Sequence, residues 1–462
     1  MSPLQQVVID ALVQGLPDGV VVLDGDVIAA YSVDRAMYCP VGKAVALVRA
    51  RDTSQVQHVM RVATEFGVPV VPQGARSGLS GAANAIDGCI LLNLEGMNNV
   101  LEIDVPNRLV VTQPGIFNAE LSRQVLEHGL FYPPDPSSWE FCSIGGNVST
   151  NSGGLCCVKY GVTTDYVLGL EVVLASGEVL RTGRRTVKGV AGYDLTRLFV
   201  GSEGTLGVVT EITLMLRPET QQPLTVAAVY GSARTAARAV TDVVTCGVVP
   251  SLLEFMDRVS VQAVNDAFNM GISPDAGALV LAQSDSGGER GREEITRIAA
   301  VLESAGAIEI AIAEDPAEGE LLLAGRREVL TAFERLGTTM IDDVCVPRTK
   351  LAELVERIEQ VSAECGLIIG VVGHAGDGNF HPTVVFDGQD SGQVLRAKQA
   401  FDDIMAISLG LGGTITGEHG VGLLKMGLLE RELSALSLDV HRRLKRALDP
   451  QGILNPGKVF TL

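Results

Sequence analysis

Basic residues are scarce in this sequence. It contains 36 lysines and arginines against 55 aspartates and glutamates, which gives a formal net charge of −19 over 462 residues. Nucleic-acid binding needs clustered Lys and Arg that face phosphates, so this charge balance argues against a nucleic-acid partner. Aromatic residues are also few, at 4%, whereas glycine is abundant, with 52 residues. That combination favours many tight loops that hold backbone close to a ligand.

Several kinds of motif are missing as well. The first residues lack the basic stretch and apolar core of a secretory signal. No run of about 18 uncharged apolar residues occurs, so we expect no transmembrane segment. The eight cysteines form no C-x-x-C pair and no ferredoxin-like run, so we expect free thiols and no iron–sulfur cluster. These absences favour a cytoplasmic protein, with peripheral binding at the inner face of the membrane as the alternative.

The first half of the sequence predicts short strands separated by glycine-rich loops. A helix is predicted at Thr53–Phe66, with Thr53 as its N-cap. The polar, proline-bounded segment Arg217–Pro223 predicts a domain boundary, and we divide the chain into domains 1–218 and 219–440 and a C-terminal segment 441–462. The predicted strands are Val20–Leu23, Ala46–Arg49, Val68–Val71, Ile90–Asn93, Leu109–Gln113 and Leu170–Leu174.

The second half alternates strands and helices over longer stretches, which predicts an α+β domain with one helical layer on an antiparallel sheet. The predicted strands are Thr225–Tyr230, Ser251–Met256, Ala278–Gln283, Ile308–Ala313 and Met340–Val346. The predicted helices are Ala233–Thr245, Arg290–Ser304 and Lys350–Cys365.

Three glycine-rich loops are candidates for holding a cofactor: Pro72–Gly81, Cys142–Gly161 and Val200–Leu214. None of them contains G-x-G-x-x-G or a Walker motif, so a Rossmann or P-loop site is not supported. Glycines in the first loop permit positive φ and allow successive N–H groups to face an anion, although a purely structural turn is the alternative. The second loop is long and rich in Gly, Ser, Thr and Asn, which favours backbone wrapped around a ligand.

Half of the six histidines fall in two short polar motifs. His374 and His381 flank the G-D-G-N turn of GHAGDGNFHP, between two apolar stretches that predict strands. A hairpin there would let both imidazoles face one point. The motif TGEHGVG adds Glu418 and His419. Two histidines and a carboxylate form a common zinc set, and satisfied core histidines are the alternative.

The three loops, the two histidine motifs and the tail ILNPGKVF, taken together, resemble the FAD-linked 2-hydroxyacid dehydrogenases of the vanillyl-alcohol oxidase/para-cresol methylhydroxylase (PCMH) superfamily. The resemblance extends from Pro40 to Val459. It implies an α+β protein with a two-subdomain FAD-binding domain of the PCMH type. A ferredoxin-like α+β substrate domain, or cap, would carry the metal site, and the tail would return to the flavin domain.

The resemblance also implies FAD and the residues that hold it. The pyrophosphate would lie on Gln73–Gly81 and the flavin ring near Gly145–Asn151 and Gly204–Val209, with Lys458 closing over the cofactor. Some members attach flavin through His or Cys, but the first loop contains neither, so we expect non-covalent FAD. The implied cofactor-binding residues are Gln73, Gly74, Ala75, Arg76, Ser77, Gly78, Gly81, Pro134, Asp135, Gly145, Gly146, Asn147, Ser149, Thr150, Asn151, Gly154, Tyr160, Gly161, Glu203, Gly204, Gly207, Val208, Val209 and Asn455.

By the same resemblance, His374, His381 and Glu418 would bind a divalent metal, zinc or manganese, and His419 would act as the catalytic base. Glu418 and His419 would point apart if the chain is extended there. Arg326 would grip the substrate carboxylate in bidentate fashion. Arg327 is the alternative residue for that role, and a solvated helix face is the alternative interpretation of the pair.

The implied reaction is FAD-dependent oxidation of a small D-2-hydroxyacid, D-lactate or glycolate, to the 2-oxoacid. His419 would take the hydroxyl proton while hydride passes to flavin N5. Ile341 and Thr383 stand where enzymes acting on 2-hydroxyglutarate tend to carry Lys and Asn, which favours a monocarboxylic substrate. D-2-hydroxyglutarate or a larger 2-hydroxyacid is the alternative, as is a flavin subunit of a multi-subunit glycolate oxidase complex. A separate protein or quinone would accept the electrons, and a homodimer is an expected assembly.

Overall fold

The computed structural model describes residues 2–313 and 315–462. The chain forms two compact units. The first contains Met1–Gly153, Val162–Glu219 and Glu418–Leu462, and the second contains Gly154–Gly161 and Thr220–Gly417. Among the described residues, no helix is long and apolar enough to cross a membrane.

The secondary structure elements are numbered along the chain. The strands are β1 Val21–Val22, β2 Ala46–Arg49, β3 Val70–Gln73, β4 Ile90–Asn93, β5 Val100–Asp104, β6 Leu109–Thr112, β7 Leu130–Phe131, β8 Val167–Val173, β9 Val179–Gly183, β10 Val208–Met215, β11 Arg217–Pro218, β12 Leu224–Tyr230, β13 Leu252–Asp257, β14 Ala278–Ser284, β15 Glu309–Ile312, β16 Thr338–Ile341, β17 Val344–Cys345, β18 Ile368–His374 and β19 Asn379–Phe386. The α-helices are α1 Pro3–Gly15, α2 Gly25–Tyr31, α3 Thr53–Phe66, α4 Asn118–Leu126, α5 Ile144–Thr150, α6 Cys157–Tyr160, α7 Leu195–Phe199, α8 Ala233–Thr245, α9 Arg258–Phe268, α10 Gly288–Ser304, α11 Pro316–Arg327, α12 Val329–Glu334, α13 Leu351–Cys365, α14 Ser391–Gly410, α15 Met426–Glu432 and α16 Ala435–Leu448.

The first unit contains a four-stranded sheet in the order β1-β2-β4-β3 and a five-stranded sheet in the order β5-β6-β10-β8-β9. In the four-stranded sheet, β2, β4 and β3 are parallel. Ala46 and Val48 pack into the core that includes α3, whereas Leu47 packs into a separate cluster. Because both faces of this sheet are covered, its strands are continuous apolar runs and not alternating ones.

The predicted helix Thr53–Phe66 has the predicted limits but a different cap. Asp52 is the N-cap, and its side chain accepts the backbone N–H of Gln55 at 3.0 Å. Thr53 instead donates its hydroxyl to Glu171 Oε1 at 2.8 Å. An aspartate one position earlier satisfies the free N–H groups and also suits the positive end of the helix dipole, so the Thr53 cap prediction is wrong.

The second unit contains a single large sheet in the order β15-β12-β14-β13-β18-β19-β16, with β17 also paired to β19. The pairs are antiparallel, which confirms the α+β prediction for this half. Helices cover both faces, so the prediction of one helical layer is wrong. Ala227 and Val229 of β12 share a core cluster with residues of α9, α11 and α12. The next residue, Tyr230, points to the opposite face and donates its hydroxyl to Leu302 of α10.

Two predicted segments differ from the structure for identifiable reasons. The predicted strand Met340–Val346 is divided into β16 and β17 at Asp342–Asp343, opposite Pro382, which has no N–H to continue the ladder. The predicted loop at Cys142–Gly161 contains α5, whose N-cap is Ser143, and the short α6. A serine before a helical stretch that includes two glycines was a weak signal against the loop's polar composition.

Candidate functional site

A hairpin in the second unit carries the two histidines. β18 and β19 are antiparallel, with His374 opposite Asn379 and Val372 opposite His381. Cross-strand partners share a face, so both imidazoles lie on the same side of the sheet, with ring centroids 5.2 Å apart. The two side chains are buried, with relative exposures of 2% and 8%. The predicted hairpin is confirmed, and its geometry allows two nitrogen ligands for one ion.

The turn of this hairpin depends on a glycine and an asparagine. Gly378 has a φ of +83°, and a Cβ there would lie 2.2 Å from the carbonyl oxygen of Val346. Asn379 donates its side-chain N–H groups to Asp343 Oδ1 at 2.8 Å and to the carbonyl of Val344 at 3.1 Å. The G-D-G-N sequence therefore closes the turn tightly and fixes it to the start of β17 and to Asp343 directly before it.

A buried glutamate on β13, Glu254, contacts both a histidine and an arginine. Its Oε1 lies 2.7 Å from His374 Nδ1, and its Oε2 accepts a hydrogen bond from Arg326 Nε at 2.8 Å. Burial acts to raise the pKa of Glu254, but the interactions with His374 and Arg326 outweigh it and hold the pKa below its usual value. An ionised carboxylate only accepts, so His374 Nδ1 carries the proton and Nε2 is the nitrogen suited to an ion.

A second buried carboxylate, Asp343, lies near the other histidine. Its Oδ1 is 3.9 Å from His381 Nδ1, and its Oδ2 accepts the hydroxyl of Thr416 at 2.7 Å. Asp343 also accepts from Asn379, so it joins three segments of the second unit. Each histidine thus has a buried carboxylate nearby, Glu254 at 2.7 Å from His374 and Asp343 at 3.9 Å from His381.

The sequence analysis missed Glu254 and Asp343, although each left a signal. Glu254 lies inside LLEFMD, a strand in which every residue is buried. Asp343 interrupts the apolar stretch that predicted one strand at Met340–Val346. An acidic residue inside a buried strand needs a charged or hydrogen-bonding partner, so both positions could have been proposed as site residues.

Arg326 and Arg327 are neighbours in α11 but occupy different environments. Arg326 is 7% exposed and donates to Glu254, whereas Arg327 donates to the exposed Glu320 at 2.7 Å. A solvated helix face therefore describes Arg327 and not Arg326. The role of Arg326 as the ligand of a substrate carboxylate stays a prediction.

Glu418 and His419 begin the last segment of the first unit, directly after Gly417 of the second. His419 Nε2 lies 3.8 Å from Glu418 Oε1, and the backbone bends at these residues. The expectation that the two side chains point apart along an extended chain is therefore wrong. The glycines that flank the Glu-His pair permit the bend.

The first glycine-rich loop follows β3 in the first unit. Gln73 donates its side-chain N–H groups to the carbonyls of Tyr31 and Ala83, both at 2.8 Å. A Cβ on Gly74 would lie 2.2 Å from Ser143 Oγ. The glycine is thus required because the first loop packs directly on the start of the second.

Arg76 makes contacts that a free anion-binding arginine would not. Its φ is +56°, and its Nη1 lies 3.1 Å from Glu95 Oε1. Its guanidinium also stacks on the Tyr31 ring, 3.9 Å from the centroid. The charge of Arg76, one of the predicted cofactor residues, is therefore partly balanced within this unit.

The structure divides the second loop between the two units. The predicted cofactor residues of this loop that lie in the first unit are Gly145, Gly146, Asn147, Ser149, Thr150 and Asn151. Gly154, Tyr160 and Gly161 belong to the second unit, where Tyr160 and Lys159 both contact Asp285. The other predicted cofactor residues, Ala75, Ser77, Gly78, Gly81, Pro134, Asp135, Glu203, Gly204, Gly207, Val208, Val209 and Asn455, lie in the first unit.

Two family models match the chain. A FAD binding domain model matches residues 44–183, and the model of the FAD linked oxidases, C-terminal domain, matches residues 220–459. The chain belongs to the FAD-linked oxidases. The implied cofactor, FAD, is confirmed, and this FAD-linked oxidase is an oxidoreductase.

Curated relatives span most of this FAD-linked oxidase. The glycolate oxidase subunit GlcD of Bacillus subtilis (strain 168) is 42% identical over 90% of this chain and 88% of its own length. The subunit of the same name from Escherichia coli (strain K12) is 37% identical over 89% of this chain and 83% of its own. A D-lactate dehydrogenase of Anaerostipes hadrus is 36% identical over 89% of both chains.

Solved structures confirm the predicted fold of this FAD-linked oxidase. p-Cresol methylhydroxylase with substrate bound matches with a TM-score of 0.82 at 16% identity, over 100% of this chain and 98% of its own. The 4-ethylphenol oxidase of Gulosibacter chungangensis matches with a TM-score of 0.81 at 20% identity, over the same shares. These similarities concern the fold alone.

The first unit contains buried acceptors that fit FAD. Among the described residues, Gln73 Oε1 and Asn455 Oδ1 have no hydrogen-bond partner. Asn455 is held in place because its Nδ2 donates to the carbonyls of Ala82 and Glu203. A buried acceptor without a donor is costly, and the hydroxyl and N–H groups of FAD are donors of the kind required.

Proposed function

We propose that this FAD-linked oxidase oxidises a small D-2-hydroxyacid, D-lactate or glycolate, to the 2-oxoacid. The observation that carries the proposal is the buried pair His374 and His381 on one face of a hairpin, next to the ion pair of Glu254 and Arg326. The names of the relatives, glycolate oxidase subunit and D-lactate dehydrogenase, support it. An enzyme that oxidises a hydroxyacid needs a cationic side chain to bind the carboxylate and a base to remove the hydroxyl proton. Arginine and histidine are residues of these two types.

We propose His374, His381 and Glu418 as ligands of a divalent metal, zinc or manganese. The contact of His374 Nδ1 with Glu254 supports this, because metal-binding histidines usually donate their second nitrogen to a carboxylate or carbonyl. The chain reaches Glu418 two residues after Thr416, whose hydroxyl is bonded to Asp343. The metal, when bound, would lower the pKa of the substrate hydroxyl.

Residues of this chain bind the substrate carboxylate and remove the hydroxyl proton. Arg326 holds the substrate carboxylate, and Glu254 orients its guanidinium. His419 accepts the proton of the C2 hydroxyl, a role that suits imidazole because its usual pKa is near neutral. Bound FAD would supply the acceptor for a hydride from C2, so that loss of one proton and one hydride would convert the alcohol into a 2-oxoacid.

One pair of residues favours a substrate with a single carboxylate. Thr383 lies two residues after His381 on β19 and is paired with Ile341 of β16, so both share the face of His381. Neither residue is basic, and a second carboxylate would gain no ion pair from them. Oxidation of D-2-hydroxyglutarate or a larger acid is the alternative that a substrate panel separates from this proposal.

The test of the proposed function is anaerobic reduction of the bound flavin by a panel of D- and L-2-hydroxyacids, followed by absorbance. We expect D-lactate or glycolate to bleach the flavin and a chelator to suppress the bleaching. If no 2-hydroxyacid bleaches the flavin, the proposed function is wrong. If D-2-hydroxyglutarate reacts fastest, the argument from Ile341 and Thr383 is wrong.

Histidine variants separate the proposed roles. His419→Ala should keep flavin and metal but lose about 10²–10⁴-fold in bleaching rate, as expected when a general base is removed. His374→Ala and His381→Ala should lose metal as well as rate. His441→Ala is the matched control, because His441 is exposed in α16 and contacts only Ser437 of its own helix among the hydrogen bonds described. Metal retained by both His374→Ala and His381→Ala would contradict the assignment.

A second candidate function is that of a flavin subunit within a larger complex. The observation that favours it is a short segment, Arg184–Asp194, in which Val187, Val190 and Tyr193 are 96%, 99% and 95% exposed. Three apolar side chains so exposed within seven residues are typical of an interaction site. A partner that covers this segment could also accept the electrons.

The measurement for this candidate is the molecular mass in solution, with and without proteins encoded beside this chain. We expect a complex with a partner that the triple variant Val187→Ser/Val190→Ser/Tyr193→Ser fails to form. The same measurement on the chain alone tests the predicted homodimer. A partner complex that forms equally well with the triple variant would contradict the assignment of this surface.

A further inference from the structure

Glu203 connects separate segments of the first unit. Its backbone N–H donates to the carbonyl of Ser149 at 2.8 Å, and its own carbonyl accepts from Asn455 Nδ2 at 2.8 Å. Its two carboxylate oxygens accept the backbone N–H groups of Val421 and Gly422, each at 2.8 Å. The side chain is therefore engaged by protein backbone, and its role in cofactor binding stays a prediction.

The segment 420–422, which donates hydrogen bonds to Glu203, lies very close to Glu203 and to the backbone of Ser80. Gly420 has a φ of +84°, and a Cβ there would lie 3.0 Å from Glu203 Oε1. Gly422 has a φ of +49°, and a Cβ there would lie 2.2 Å from the carbonyl oxygen of Ser80. Only glycine fits at both positions, and His419 is the residue directly before them.

The same segment is also fixed to the first glycine-rich loop and to the tail. The N–H groups of Leu423 and Leu424 donate to the carbonyl of Ser80 at 2.8 and 3.0 Å. The N–H of Val459 donates to the carbonyl of Gly422 at 2.9 Å. The chain after His419 is thus anchored on both sides, by Glu203 and by Ser80.

We propose that Glu203 is the positioning residue for His419, because its carboxylate fixes the backbone of Gly420–Gly422 to the loops that bind FAD. The imidazole then takes its direction from a backbone that is anchored within two residues. A base must lie within hydrogen-bond reach of the proton that it removes, so a small shift of this backbone costs rate. This inference rests on the proposed role of His419 as the base.

The kinetic test compares Glu203→Ala, Glu203→Gln and wild type by anaerobic flavin reduction at saturating substrate. We expect Glu203→Ala to lose about 100-fold in the rate of reduction, as for a base displaced by about 1 Å, with little change in the substrate concentration for half-maximal rate. Glu203→Gln keeps one acceptor for the two N–H groups, so its loss should be about tenfold. A partial rescue by Gln and an effect confined to kcat distinguish positioning from a general loss of structure.

Hydrogen exchange of the backbone amides supplies a readout that needs no substrate. In Glu203→Gln, and in Glu203→Ala if it folds, amides of the segment 420–424 should exchange about tenfold faster than in wild type. Exchange at wild-type rates in both variants would overturn the proposal, whatever the activity. Faster exchange in an enzyme that no 2-hydroxyacid reduces would leave the anchoring intact and reject the proposed function instead.

The matched control is Glu171→Gln. Glu171 is also a buried glutamate of the first unit, where it accepts the hydroxyls of Thr53 and Thr210 and an ion pair from Arg181. Its loss should change stability without faster exchange at 420–424. If Glu171→Gln and Glu203→Gln lose the same fraction of kcat and exchange alike, the effect is one of stability and the proposal fails.

Discussion

Two buried glutamates, one in each unit, have pKa values shifted in opposite directions by their surroundings. Glu254 in the second unit is bonded to Arg326 and His374, and these groups keep its pKa below the usual value in spite of burial. Glu203 in the first unit is bonded to two backbone N–H groups, and burial raises its pKa to about 7.

The pKa values of the two glutamates differ because the cation near Glu203, Lys458, is hydrogen-bonded to other groups. Lys458 is the basic side chain whose charge acts on Glu203, but its ammonium donates to the carbonyls of Gly81, Ala82 and Asn84. Among the described residues, no basic side chain forms an ion pair with Glu203. Glu203 is therefore held by backbone N–H groups, whereas Glu254 is held by the side chains of Arg326 and His374.

The largest expected effect comes from breaking the charged cluster of the second unit. Glu254→Ala leaves Arg326 buried without its partner, and we expect it to lower the free energy of unfolding by about 3–5 kcal/mol. The measurement is the midpoint and slope of urea denaturation, followed by far-UV circular dichroism.

The adjacent arginine supplies the control for that experiment. Glu320→Ala removes the partner of Arg327, and both of those side chains are more than half exposed. An exposed ion pair contributes about 0–1 kcal/mol, so this variant should stay close to wild type. Equal effects of Glu254→Ala and Glu320→Ala would show that the buried cluster is not held by charge.

The second prediction concerns pH and Glu203. Burial raises its pKa from 4.5 to about 7, so the folded protein keeps a proton that the unfolded chain has lost, and stability falls as pH rises between those values. The contribution of this residue at about pH 8 is a loss of about 3 kcal/mol relative to about pH 4. Urea midpoints of wild type and Glu203→Gln across this range measure it.

Glutamine carries no charge at any pH, so it should remove this dependence. We expect the free energy of unfolding of Glu203→Gln, relative to that of wild type, to increase steadily as pH rises from about 5 to about 7, because only wild type loses stability through this titration. A relative stability that stays constant with pH would mean that Glu203 does not titrate in this range.

The sequence predicted the hairpin of the two histidines because its signal is local: apolar strands on either side of a glycine-rich turn. The antiparallel α+β half followed from strand and helix periodicity in the same way. Glu254 and Asp343 were missed because their importance arises from partners far away in the chain, 120 residues for Glu254 and His374. Arg326 and Arg327 could not be separated by pattern, since burial of one helix face depends on packing.

The glycine-rich loops show a second limit of prediction from the sequence. Glycine spacing located them, but composition did not predict that part of the second loop would form α5. Nor did it predict that the carboxylate of Glu203 would accept hydrogen bonds from the backbone N–H groups of Val421 and Gly422. These contacts join residues more than 200 positions apart, and only the folded chain brings them together.

The smallest expected effect concerns Lys458, the cation that is engaged by carbonyls and not by Glu203. Its ammonium donates to three carbonyls at 2.8–3.0 Å, and burial lowers its pKa to about 8. Lys458→Met removes these bonds next to the first glycine-rich loop, so we expect the Kd of FAD to rise about tenfold, near 1.4 kcal/mol. Fluorescence titration of the apoprotein with FAD measures the change, with the exposed Lys43→Met as control. An unchanged Kd would mean that the carbonyls of 81–84 keep their arrangement without the cation, and that backbone alone shapes this loop.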